Sequence, residues 1–87
     1  MSKWKTPVAL TIDATGHQTV HGPYAAAMLL MISWPTQNSR EHKRAEQLCL
    51  EAVDQRIDAE VAREAFLAAI EEAGLTIENP DTTPLAA

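Results

Sequence analysis

The segment from Ala25 to Ile32 is an unbroken run of eight apolar residues, and the pair Trp34-Pro35 follows it almost at once. Pro23 precedes the run and suits the first position of a helix, where its missing N–H costs nothing. Pro35 restricts Trp34 to extended geometry and so ends the helix. The pattern predicts a first helix from Pro23 to about Ser33 that is apolar around nearly its whole circumference.

A helix that is apolar on every side needs cover on every side, so we expect it to be the most enclosed element of the fold. Met28 and Met31 are accordingly predicted to pack in the core. An 87-residue chain nevertheless has few other elements to provide that cover. Leu50 and Leu67 also lie off the apolar stripes of their own predicted helices. This surplus indicates an exposed apolar patch, which is the usual mark of a binding surface.

A second helix is predicted to begin near Asn38 or Ser39. Asn38 with Glu41 three residues later resembles a capping box, in which each side chain satisfies a free backbone donor. The charged residues of this segment fall on the other faces of the helix, so the charge cluster after Pro35 indicates its solvated side. The apolar positions have regular helical spacing. They are Ala45, Leu48, Cys49, Ala52 and Val53.

A third helix is predicted to begin after Asp58, a favourable N-cap residue. Gly74 is expected to adopt the left-handed conformation that ends a helix, and Leu75 to pack back on Ile70. The apolar stripe of this helix is again regular. It consists of Val61, Ala62, Ala65, Phe66, Ala69 and Ile70.

The N-terminal part has the alternation of a strand with one buried face, carried by Trp4, Val8, Leu10 and Ile12. Asp13–Gly16 suits a type I turn that closes a hairpin, with a return strand at about Gln18 to His21. Leu75–Ile77 is a candidate short third strand. The prediction is an α+β fold, in which an N-terminal hairpin packs against three helices. Residues 1–78 form its single domain, and residues 79–87 are expected to be a disordered tail.

Composition limits the class of protein. Hydrophobic residues make up 46% and charged residues 22% of the chain, as in soluble globular proteins. The longest apolar run is far shorter than the roughly 18 residues that a membrane span needs, and the N-terminus lacks the apolar core of a signal peptide. With Cys49 as the only cysteine, no disulfide can form within the chain. A reducing cytoplasm is therefore the expected compartment.

The charge is unevenly distributed. The net charge is −5, which divides into +3 for residues 1–44 and −8 for residues 45–87. An acidic half disfavours general binding to phosphate backbones. The asymmetry could support head-to-tail self-association, but a solvated acidic surface is the simpler explanation.

Several short motifs follow one another in a distinctive order. They are Trp4, Pro7-Val8, Gly16, Val20, Trp34-Pro35, Ala45 with Cys49, Ala62–Phe66 and Glu72–Gly74. In this order the chain resembles, from about Trp4 to Ile77, the small bacterial proteins grouped as domain of unknown function 982. The resemblance implies a hairpin with helices and supplies no catalytic residues. The pattern of that family places a glycine where this chain has Gln55, and another near Ser39.

Two groups of side chains have spacings that suit metal ligands. His42, Glu46 and Cys49 share one face of the second helix and offer three zinc donors, but Cys49 belongs to the apolar stripe and is expected to be a buried core residue. His17 and His21 share one face of the return strand, and solvated histidines are the simpler interpretation. We therefore expect no metal, cofactor or catalytic centre, and no small-molecule substrate is identifiable.

The function predicted from the sequence is that of a small non-enzymatic interaction or regulatory module that binds a protein partner or associates with itself. The alternative is a nucleic-acid-binding regulator that uses the basic patch at the start of the second helix beside Trp34, although Glu41 and Glu46 dilute that patch. The candidate interaction surface comprises Leu50, Leu67, Trp34, Arg40, Lys43 and Arg44.

Overall fold

Three strands and three helices build the fold. The computed structural model describes residues 3–12, 16–35 and 39–77. The elements are β1 (Val8–Ile12), β2 (Gly16–Val20), α1 (Pro23–Ile32), α2 (Arg40–Val53), α3 (Ala59–Ala73) and β3 (Thr76–Ile77). The predicted α+β class, with a hairpin, a short third strand and three helices, is confirmed. The predicted turn from position 13, the capping role of Asn38 and the tail 79–87 lie outside the described residues.

The sheet is antiparallel and has the order β2-β1-β3. β1 is its central strand, with Val8 opposite Val20 and Leu10 opposite Ile77. Successive side chains of a strand point to opposite faces, and every second residue of β1, beginning with Val8, is buried. The residues of β1 that the sequence pattern predicted to be buried are therefore the ones that face the helices. β2 lies at the edge, with β1 on one side and no other described strand beyond it.

An aromatic cluster fills the space between the sheet and the helices. The fully buried ring of Phe66 on α3 lies 5.7 Å from the ring of Trp4 and 5.6 Å from the ring of Trp34, measured between centroids. Trp4 Nε1 also donates a hydrogen bond of 2.8 Å to the carbonyl oxygen of Ala59 in the first turn of α3. The N-terminal segment, α3 and the segment that follows α1 thus meet at one point of the core.

Helices α2 and α3 pack through stripes of small residues that largely match the predicted ones. Ala45, Cys49 and Ala52 of α2 are buried, as is the α3 stripe from Ala62 onward. Val61 is the exception, because it is 45% exposed. It stands at the rim of the α3 stripe in the first turn of the helix, where no described element covers it. Val61 thus belongs to the apolar stripe by spacing but not to its buried part.

Side chains and backbone geometry close the helix ends. The N-cap of α2 is Ser39, whose Oγ accepts a hydrogen bond from the His42 amide and donates one of 2.6 Å to the carboxylate of Glu72. Ser39 therefore holds the capping position that the sequence pattern assigned to Asn38. Asp58 caps α3 through the Glu60 amide, and Gly74 ends it with φ of 74°, both as predicted.

The turn after α2 contains a residue in the left-handed region. Gln55 has φ of 64°, a conformation that is common for glycine and costs other residues roughly 1–2 kcal/mol. The resemblance noted in the sequence implied a glycine at this position, and the positive φ of Gln55 is a backbone conformation that glycine adopts readily.

Replacing Gln55 with glycine is expected to raise the free energy of unfolding by about 1 kcal/mol, because the strain of the left-handed backbone is removed. Urea denaturation measures the change. Gln47, an exposed residue within α2, is the matched control, because glycine there should lower the free energy by about 1 kcal/mol. A loss of stability in the Gln55→Gly variant would contradict the strain at this turn.

Candidate interaction surface

Helix α1 exposes a large apolar side to solvent. Its buried residues are Pro23, Ala26, Ala27 and Leu30. The prediction that α1 is the most enclosed element, with Met28 and Met31 in the core, is therefore wrong. The exposed fractions are 52% for Tyr24, 36% for Met28, 43% for Met31 and 69% for Ile32.

These four residues form one continuous face. Their positions i, i+4, i+7 and i+8 lie on the same side of an α-helix, and we call them the α1 face. The opposite side carries Ala26 and Ala27, whose small side chains are buried beneath the helix backbone. Because α1 is apolar at every position, its composition did not determine which side would be buried. The buried side is the one on which small alanines pack against neighbouring elements, and the large side chains of the other side are exposed.

The α1 face lies in a part of the chain that has no formal charge. Residues 14–39 contain no Asp, Glu, Lys or Arg, so all seven basic and all twelve acidic residues lie elsewhere. This stretch includes the whole of β2 and α1. Soluble helices normally carry charged residues on their solvent side. An exposed helix without any charge is typical of a surface that a partner covers.

A groove of about 390 Å³ separates α1 from the edge strand β2. Val20 and Thr19 contribute to its strand side, while Tyr24, Met28 and Ile32 contribute to its helix side. The α1 face and the edge of β2 therefore form one concave apolar surface.

The predicted surface residues on α2 and α3 have different environments. Leu50 is 42% exposed and lies on α2, which packs beside α1. Arg40, Lys43 and Arg44 are all exposed near the start of α2. Leu67 is half-buried against the core and lines a separate groove between α3 and β3.

Trp34 does not belong to the exposed surface. Only 4% of the residue is exposed, and its ring packs against Phe66. Including it among the surface residues was wrong, because its aromatic ring completes the core where α1 ends. The basic patch of Arg40, Lys43 and Arg44 consequently lacks the stacking platform that single-stranded nucleic acid uses.

His42, Glu46 and Cys49, whose spacing would suit metal ligands, form no candidate metal site among the described residues. His42 is buried, and its Nε2–H donates a hydrogen bond of 2.6 Å to the carbonyl oxygen of Leu30 near the end of α1. Burial raises the pKa of the Cys49 thiol from 9.0 to about 12, so the thiol is neutral and is a poor nucleophile or metal ligand. Within residues 3–12, 16–35 and 39–77, no three His, Cys, Asp or Glu side chains are grouped to hold a metal ion.

His17 and His21 are both exposed, His17 on β2 and His21 just after it ends. They belong to no group of candidate ligands among the residues that the structure describes. A groove of about 550 Å³ at the end of α1 brings together Ser33, Thr11 and Thr76 as its hydroxyl-bearing residues. The other described residues that line this groove are apolar or glycine.

Sequence reasoning missed the α1 face as the site of the exposed patch, although it anticipated that some apolar surface would lack cover. The usable signal was the 26-residue span without charge at positions 14–39. None of the helices in the described part of the chain is long and apolar enough to cross a membrane.

Comparison with known proteins gives a family and a related structure. No curated protein matches the chain. The NMR structure of the Agrobacterium tumefaciens protein Atu1219, a structural-genomics target, is similar to this chain with a TM-score of 0.73 and 28% identity. The match covers 98% of this chain and 88% of that one. The family model described as protein of unknown function (DUF982) matches residues 6–77. The chain therefore belongs to the DUF982 family, as its order of motifs predicted.

Proposed function

We propose that this protein is a non-enzymatic interaction module and that the α1 face binds another protein surface. The observation that carries the proposal is the exposure of Tyr24, Met28, Met31 and Ile32 on one side of a helix without any charged residue. Burying such a surface against a partner removes apolar area from water, which is the main favourable contribution to association.

The side chains of the α1 face suit protein recognition. Tyrosine and methionine are enriched in protein interfaces, and methionine adapts its shape to the partner because its side chain is unbranched and polarisable. Leu50 on the neighbouring helix adds exposed apolar area. Exposed charged residues such as Lys43 lie on α2, which packs beside α1, and suit the polar rim of such an interface.

A binding role fits the chemistry of the described side chains better than catalysis does. The cysteine is buried and neutral, and the grooves beside α1 present hydroxyl and apolar groups. A single buried thiol also suits a reducing compartment, so we place the protein in the cytoplasm.

A photo-crosslinking amino acid at Tyr24 is expected to capture a protein in living cells, because this side chain lies on the proposed binding surface. The same amino acid at Glu64, an exposed position on α3, is the control and should give little adduct. Gel migration and mass spectrometry of the purified adducts measure both yields. Equal yields at the two positions, or none at Tyr24, would contradict the proposal.

A further inference from the structure

We propose that the partner of the α1 face is a second copy of this chain, paired through the edge of β2 so that two three-stranded sheets join and the two α1 helices pack together. This inference rests on the proposed function and specifies its partner. Three properties of the described residues bear on it. They are the sequence of the edge strand β2, the area that a stable interface needs and the distribution of charge.

The first property is the edge of β2. Exposed edge strands usually carry a lysine, a proline or a bulge that prevents pairing with other chains. β2 has the sequence GHQTV and pairs with β1 residue by residue from Gly16 to Val20 without a bulge. The strand itself therefore contains no lysine, no proline and no bulge in its register with β1, and it is five residues long, a usual length for a pairing strand.

The second property is area. The exposed fractions of the α1 face amount to about two whole large side chains, or roughly 400 Å² at about 200 Å² each. A stable protein interface buries about 800 Å² on each partner. The α1 face alone is therefore too small for a stable dimer. The groove between β2 and α1 is continuous with this face, so a dimer that buries enough area is expected to include the groove and the edge of β2 as well.

The third property is charge. Two copies of a protein with a net charge of −5 repel each other over most of their surfaces. Residues 14–39 carry no formal charge, so the surface formed by β2 and α1 brings no like charges together. Two copies can therefore approach through this surface without the repulsion that opposes contact elsewhere.

A dimer with a twofold axis at the middle of the β2 edge is consistent with the edge sequence, the area requirement and the charge distribution. Such an axis places Gln18 near its own copy, pairs the strands in antiparallel fashion and brings α1, which flanks the same edge, against its own copy. Met28 lies midway between Tyr24 and Ile32 on the α1 face. It is therefore expected to lie close to the partner's Met28.

The test introduces charge at this symmetric position. Met28 is 36% exposed, so Met28→Lys and Met28→Glu are expected to leave the monomer folded. Each variant alone should weaken dimerisation by about 100-fold or more, because two like charges meet at the axis. An equimolar mixture should form a heterodimer again, because the charges are then opposite. Sedimentation velocity across a dilution series measures the species, and Val61→Lys, which places a charge on exposed α3, should behave as wild type.

A mixed sample of isotope-labelled and unlabelled protein tests the strand pairing. Interchain nuclear Overhauser contacts between β2 residues in an antiparallel pattern are expected. Wild-type protein that stays monomeric at millimolar concentration, a mixture of Met28 variants that does not dimerise, or interchain contacts on another face would each overturn the inference. Tyr24 adducts that contain a different protein, with none at twice the mass of the chain, would also overturn it and leave the proposed function standing.

Discussion

Replacing Phe66 with alanine is expected to lower the free energy of unfolding by about 4 kcal/mol, which is a large part of the stability of a domain of this size. Phe66 is fully buried on α3 and lies between the rings of Trp4 and Trp34. Removing its ring leaves a cavity that both tryptophans line. It also removes two aromatic contacts, each of which contributes about 1 kcal/mol beyond the burial of area.

The matched control for Phe66 is the next residue of the same helix. Leu67 is half-buried and packs at the margin of the core, so Leu67→Ala should cost only about 1 kcal/mol. Urea denaturation monitored by tryptophan fluorescence measures both variants, and near-ultraviolet circular dichroism should show the changed environment of the tryptophans in Phe66→Ala alone. A cost below 1.5 kcal/mol for Phe66→Ala, roughly that of an ordinary point substitution, would show that this cluster does not hold the core together.

The parts of the fold that could be predicted from the sequence are those in which apolar and polar residues alternate. β1 shows a two-residue period, and α2 and α3 show helical periods, so the buried side of each is determined by contrast along its own sequence. Gly74 and Asp58 mark the ends of α3 because their conformational preferences are local. All of these predictions depend on interactions within one element.

α1 shows why the remainder could not be predicted. Every face of this helix is apolar, so its sequence contains no contrast that distinguishes the buried side from the exposed side. Which side of α1 is buried depends on which of its residues are small enough for neighbouring elements to approach closely. Ala26 and Ala27 allow that approach, whereas Met28 and Met31 do not, and the two methionines are exposed. The exposed apolar patch was consequently expected to include Leu50 and Leu67, whereas four of the exposed large apolar side chains lie on α1.

The role of His42 in the core could not be predicted from the sequence for a related reason. Its spacing to Glu46 and Cys49 suggested a shared ligand set, but the structure aligns it with the buried stripe of α2 that continues through Ala45 and Cys49. A histidine three residues before Ala45 stands on that stripe by helical spacing alone. The carbonyl group of Leu30 that it binds belongs to another helix, and no local pattern indicates such a bond.

The hydrogen bond between His42 and the Leu30 carbonyl group connects the end of α1 to α2. The last carbonyl groups of a helix lack partners within it, and the His42 ring satisfies the one at Leu30 from α2. α1 is thus held on its buried side by this hydrogen bond and by small-residue packing, while the α1 face stays exposed. The same contact that closes the end of α1 therefore also orients the proposed interaction surface.

Replacing His42 with alanine is expected to lower the free energy of unfolding by about 3 kcal/mol. The change opens a cavity in the core and leaves the Leu30 carbonyl group buried without a partner, which alone costs about 1–3 kcal/mol. His42→Phe restores most of the ring volume without the donor, so it should recover part of the loss and separate packing from hydrogen bonding. Urea denaturation measures the stability of both variants.

His21 provides the control, because it is exposed and His21→Ala should change stability by less than about 0.5 kcal/mol. Amide hydrogen exchange adds a local readout. In both His42 variants the amide of Ser33, which bonds the Leu29 carbonyl oxygen in the last turn of α1, should exchange faster than amides in the middle of α3. If Ser33 exchanged at the wild-type rate while global stability fell, His42 would contribute to the core only as a packed ring. The end of α1 would then be fixed by its alanine contacts rather than by this hydrogen bond.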